Sequence, residues 1–87
     1  MTFSLLQTIG NTPLIELSTF AASGCATLLA KQESRNPLGS VKDRVAKYMI
    51  EKAEKEGRIK NGQLIIENSS GNTALGLALV AVQKGYR

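Results

Sequence analysis

From position 74 to 82 the chain reads ALGLALVAV, apolar at every position except the glycine. A helix with that pattern has no wet face and needs cover on all sides. The stretch is too short to cross a membrane, which takes roughly 18 or more apolar residues. Its cover must therefore be protein. A chain of 87 residues has few elements to supply it. Two expectations follow: the chain is the N-terminal piece (1–87) of a larger domain, or it is a truncated product whose open surface another chain covers.

The elements around that helix are readable. Thr12–Leu17 has Pro13 at its edge and then an apolar-rich run, which predicts an edge strand. Ala26–Gln32 predicts a second strand, and Asn-Pro and Gly mark a loop before position 40. Ser40 and Asp43 then form an S-x-x-D helix start, with the serine as N-cap. Val41, Val45, Met49 and Ala53 recur every four residues and predict the apolar stripe of that helix. Glu51–Lys55 and Lys52–Glu56 are opposite-charge pairs on its wet side, and Gly57 stands at the expected stop. Leu64–Ile66 predicts a short buried strand before the apolar helix, which Lys84 and Gly85 close. Strands alternating with helices predict an α/β fold, here an incomplete parallel sheet with flanking helices.

Composition removes several classes of function. The formal net charge of +4 invites a nucleic-acid reading. But Lys47, Lys52, Lys55, Arg58 and Lys60 are interleaved with Glu51, Glu54 and Glu56, as on a solvated face, and no nucleic-acid module is recognisable. Nucleic acid and membrane are not expected partners. With no histidine and one cysteine, the usual zinc sites and the Ser-His-Asp and Cys-His machineries cannot be built from this chain. The lone Cys25 and the absence of a basic, apolar leader fit a reducing, cytoplasmic setting.

Two stretches can carry chemistry. In "SSGNTAL", small hydroxyl residues and a glycine lie between a strand and a helix, where backbone N–H groups and the helix dipole face an anion. Ser69, Ser70 and Thr73 add hydroxyls and Asn72 an amide. One reading is a carboxylate- or phosphate-binding loop; the plainer one is N-capping by Ser70 or Asn72. The stretch is neither a Walker A loop nor a dinucleotide fingerprint. The second stretch is "NPLGSVKDR", which puts Lys42 at a helix start, the wrong end for a cation. The plain reading is a surface lysine pairing with Asp43 or Glu33. The functional one is a lysine pushed toward neutrality by the helix start, by burial and by Arg44, fit to be a Schiff-base nucleophile or proton carrier.

With "IGNTPL" (9–14), "NPLGSVKDR" (36–44) and "ENSSGNTALGLA" (67–78) in order, the chain resembles the cysteine synthases and the related cystathionine β-synthases from Ile9 onward. Leu38, Asn68, Ser69 and Ala74 depart mildly from the usual residues of that family. The resemblance implies a tryptophan-synthase-β-like (fold type II) enzyme that uses pyridoxal 5'-phosphate. By position it implies that Lys42 holds the cofactor as an imine and later removes the substrate α-proton. It implies that Asn72 bonds the cofactor ring hydroxyl, and that Ser69, Ser70, Gly71 and Thr73 close on the substrate carboxylate. The implied reaction is β-replacement, making L-cysteine from O-acetylserine and sulfide. A cystathionine β-synthase-like activity is the runner-up, and a non-enzymatic interaction module the reading from another class. The family's phosphate cradle falls beyond position 87, so the 87 residues alone are expected to be inactive. A homodimer and serine acetyltransferase are partners that the resemblance implies for a full-length enzyme.

Overall fold

The computed structural model describes residues 2–87. Its centre is a pair of helices, α1 (Lys42–Lys55) and α2 (Asn72–Lys84). Gly76 of α2 lies against Lys42 and Ala46 at one end of α1, while the Lys84 ammonium meets Glu54 at 2.8 Å at the other. The helices therefore run parallel, with both N-termini at the same end. Ala46, Ile50, Leu77, Val80 and Ala81 form the seam, closed below by Tyr86 and above by Ile9.

The buried face of α1 is not the predicted stripe. Asp43, Ala46 and Ile50 are buried, whereas Val41, Val45 and Met49 stay 36–42% exposed. A strict four-residue repeat turns through about 40° more than a full circle at each step, so it winds off any single face. The 43–46–50 spacing alternates three and four and stays in line. Of the two predicted charge pairs, Lys52–Glu56 forms at 4.0 Å. Glu51 instead faces Lys47 and Lys84, each at 4.0 Å, because α2 brings a second cation to that side. Gly57 follows the end of α1 and Gly85 caps α2, both as expected.

The two predicted strands pair, but antiparallel. β1 (Leu14–Glu16) and β2 (Leu29–Lys31) align Ile15 with Ala30. Hydrogen bonds from Leu17 N–H to the Leu28 carbonyl and from Gln32 N–H to the Pro13 carbonyl, both 2.9 Å, extend the ladder at each end. Pro13 thus contributes only its acceptor, as an edge proline can. The expected parallel pairing is confined to the other side of the molecule. Ile65 N–H donates to the Arg87 carbonyl (2.6 Å) and Arg87 N–H to the Gln63 carbonyl (3.2 Å). Two bonds from one residue to the neighbours of another are the parallel pattern.

Leu64–Ile66 forms no strand and is not buried: Leu64 is 57% and Ile66 84% exposed. Only Ile65 turns inward, onto the core. Burial on both faces needs a sheet covered on both sides, and one bridging residue does not build one. α2 is likewise covered on one side only, with Leu75 and Val82 open.

Ile50→Ala is expected to destabilise the chain by about 2–4 kcal/mol through lost burial and a residual cavity. Met49→Ala on the open face is expected to cost under about 1 kcal/mol. Urea-denaturation midpoints of the two variants check the assignment of faces.

Candidate functional site

The N-terminal ends of α1 and α2 put Lys42 and the 69–73 loop on the same end of the helix pair. Lys42 is the first residue of α1 and half-buried. Its N–H donates to Ser40 Oγ at 3.1 Å. Ser40 is thus not the N-cap; Val41 holds that position in helical conformation, and the serine closes a turn two residues long. Asp43, fully buried, reaches back to accept the Leu38 N–H at 2.7 Å. Its other oxygen has no hydrogen-bond partner among the described residues. Hydroxyl and carboxylate both anchor the helix start, each on a partner other than the expected one.

The plain reading of Lys42 as a partner of Glu33 or Asp43 is not what the structure has: Arg44 engages Glu33, and Asp43 turns back to the Leu38 N–H. Glu33 accepts two hydrogen bonds from the Arg44 guanidinium, Nε at 2.9 Å and Nη2 at 3.1 Å. Among the described residues no carboxylate forms an ion pair with Lys42. Arg44, expected beside Lys42 as a second cation, is neutralised.

That ion pair is the hub of a polar cluster. Thr12 Oγ1 donates to Glu33 Oε1 and receives Arg44 Nη2 at 3.2 Å. Asn36, 4% exposed, receives the Gly10 N–H at 2.8 Å. Its Nδ2 donates to the Ser40 carbonyl at 2.9 Å and to the Glu33 carbonyl at 3.1 Å. The cluster ties residues 10–12 to the loop 33–40 and to the first turn of α1. Gly10 has φ +88°, a conformation that favours glycine, and a side chain there would crowd the Arg44 guanidinium at 3.2 Å.

On α2, Gly71 is the N-cap and no side chain caps the helix. Capping by Ser70 or Asn72 is therefore not what the loop does. Ser69 Oγ instead accepts the Gly71 N–H at 3.2 Å, which folds the loop on itself. Asn72 is the first helical residue and exposed, Ser70 and Gly71 are exposed, and Ser69 and Thr73 are half-buried. The first amides of α2 have no intrahelical acceptor and are free for an anion.

Gly76, one turn after Asn72, joins the two stretches. A Cβ built on it would lie 2.7 Å from the Lys42 carbonyl oxygen and 3.3 Å from Ala46 Cβ. Neither Gly76 nor the Glu33–Arg44 cluster is evident as a site component from sequence. A glycine inside an otherwise apolar helix was the one available signal.

The Arg44 hydrogen bonds, with help from Thr12, hold the Glu33 carboxyl down at about 2 against an ordinary 4.5. Hydrogen bonds from Lys84 and then Tyr86 also lower Glu54. Carboxylates with depressed folded-state pKa values stabilise the fold above their unfolded pKa and lose that contribution as pH falls. Stability is expected to drop from about pH 4.5 toward about pH 2. In Glu33→Gln the drop should be shallower, with the remainder due to Glu54; denaturant midpoints across that range check it.

The family described as "Pyridoxal-phosphate dependent enzyme" matches residues 5–87. A cysteine synthase of Staphylococcus aureus is 50% identical over 84 residues, covering 97% of this chain and 27% of that protein. O-acetylserine sulfhydrylase isoform 3 from Entamoeba histolytica superposes with a TM-score of 0.86 at 44% identity, covering 99% of this chain and 27% of that one. An O-ureido-L-serine synthase superposes with the same TM-score and identity, covering all of this chain and 27% of that one. The chain thus spans just over a quarter of the length of these relatives, and its fold is that of their fold type II N-terminal segment.

Proposed function

We propose that this chain, which belongs to the pyridoxal-phosphate dependent enzyme family, supplies the covalent anchor and the substrate-carboxylate loop of an enzyme making L-cysteine from O-acetylserine and sulfide. The observation that carries the reading is the placement of an unpaired, half-buried lysine at the same end of the helix pair as an uncapped helix start. The residues fit the cofactor. Lys42 offers an amine, and the bare backbone at Gly76 lets the two helix starts approach. The cofactor, when bound, supplies an electron sink that acidifies the substrate α-carbon.

This chain's residues do the rest. Lys42 Nζ would hold the cofactor and, once the substrate amine has replaced it there, would be free to accept the proton from the substrate Cα, a task suited to an amine with no ion-pair partner among the described residues. The amides and hydroxyls at Ser69, Ser70, Gly71 and Thr73 bind the substrate carboxylate at the positive end of α2. Asn72 would orient the cofactor ring by a hydrogen bond from its side-chain amide to the ring hydroxyl. The Glu33–Arg44 cluster holds the loop before Lys42, so the lysine backbone is fixed while its side chain moves. Relatives whose names give two different activities match this segment with the same TM-score and identity. That equal likeness favours neither nucleophile, and a different β-replacement is the second reading. A homodimer, association with serine acetyltransferase and a cytoplasmic setting belong to the same proposal. No helix of the described residues is long and apolar enough to cross a membrane, in keeping with it.

A chimera tests the reading. With residues 5–87 replacing the matching segment of the Staphylococcus aureus enzyme, it is expected to bind pyridoxal 5'-phosphate with visible absorption and to form cysteine. Lys42→Ala in that chimera should abolish the absorption and lower turnover by about 10²- to 10⁴-fold or more. A folded chimera that stays colourless with saturating cofactor would overturn the proposal.

A further inference from the structure

We propose that Gly76 is a positioning residue for Lys42: its missing side chain sets how closely the carboxylate loop approaches the lysine. The proposal rests on the reading of Lys42 as the covalent anchor. Glycine inside a helix works against helix formation, so its presence there has to be explained by packing. Gly76 is buried, and the space a Cβ would need is taken by backbone, not by the end of a flexible side chain. The Lys42 carbonyl oxygen would be 2.7 Å from that Cβ and the carbonyl carbon 3.0 Å, where ordinary contact begins at 3.4 Å.

The backbone of Lys42 cannot give way easily. Its N–H is held by Ser40 Oγ at 3.1 Å, and the next residue is held through Asp43 and the Leu38 N–H at 2.7 Å. Its carbonyl is an acceptor in the helix ladder, bonded by the Ala46 N–H. The strain of a methyl group therefore falls on α2. That helix would have to withdraw by about 0.7 Å at the contact. Asn72 lies one turn from Gly76 on the same helix face, so the first turn of α2 moves with it. Ala46 is the secondary neighbour at 3.3 Å, and its side chain, unlike the Lys42 carbonyl, can be removed by substitution.

The test uses the chimera of residues 5–87 with the Staphylococcus aureus enzyme, with pyridoxal 5'-phosphate as the probe. Borohydride trapping with peptide mass mapping reads the share of label on Lys42 against the other lysines. Hydrogen exchange reads the Ala46 amide. Gly76→Ala is expected to lower the Lys42 share by about tenfold, the scale of effect for a sub-ångström displacement of a reacting group, and to speed exchange at Ala46. Val80→Ala weakens the same helix seam without touching Lys42 and should leave its share unchanged. Adding Ala46→Gly to Gly76→Ala removes the contact between side chains but not the collision with the carbonyl, so labelling should stay low. Wild-type labelling and exchange in Gly76→Ala would overturn the proposal, as would rescue by Ala46→Gly. Loss of fold in both variants, read by circular dichroism, would also overturn it, since Gly76 would then be a general packing residue. A chimera with Gly76 intact that labels all lysines alike counts against Lys42 as the anchor, whereas exchange at Ala46 reads the positioning by itself.

Discussion

The bare backbone of Gly76 resting on the carbonyl of Lys42 is the contact on which the arrangement turns. Two helices can approach this closely only where neither presents a large side chain, and here one side is glycine and the other peptide. The consequence is directional. Because the contact falls in the first turn of α1 and the second of α2, and Lys84 meets Glu54 at the far end, the helices lie parallel. Two helix N-termini and their free amides then share one end of the molecule.

A polar cluster does for the loops what the apolar seam does for the helices. Glu33 and Arg44 form a paired, partly shielded ion pair, and Thr12 and Asn36 spend nearly all of their hydrogen-bonding capacity on the surrounding backbone and on that pair. The residues preceding β1 and those preceding α1 thereby become one rigid piece. Lys42 sits at the edge of this piece, with no ionic partner among the described residues and with its N–H held by Ser40 Oγ.

The opposite side of the molecule is open. Leu64 and Ile66 project outward from a segment whose one parallel partner is Arg87, and Leu75 and Val82 of α2 are likewise uncovered. These are the surfaces that an apolar helix and a lone segment leave when a sheet is not assembled around them. The relatives that share the fold are almost four times as long as the matched segment.

Some of this is set by local chemistry and could be read from residue order. Gly57 and Gly85 end their helices, Pro13 marks a strand edge, and Ser40 with Asp43 anchors a helix start, because turns and caps depend on neighbours a few positions apart. The three motifs that carry the family likeness were legible for the same reason, and with them the roles expected of Lys42 and Asn72. What the sequence could not decide is which surfaces meet. The four-residue stripe Val41–Val45–Met49 is as apolar as the face that is buried, and only the position of α2 selects Ala46 and Ile50 instead. Glu33 could have paired with Lys42, but Arg44 reaches it with a planar fork and Thr12 completes the site from 21 residues earlier in the chain. Gly76 looked like an interruption in an apolar run. Its meaning lies in a carbonyl 34 positions away, a distance that no local pattern spans and only tertiary packing closes.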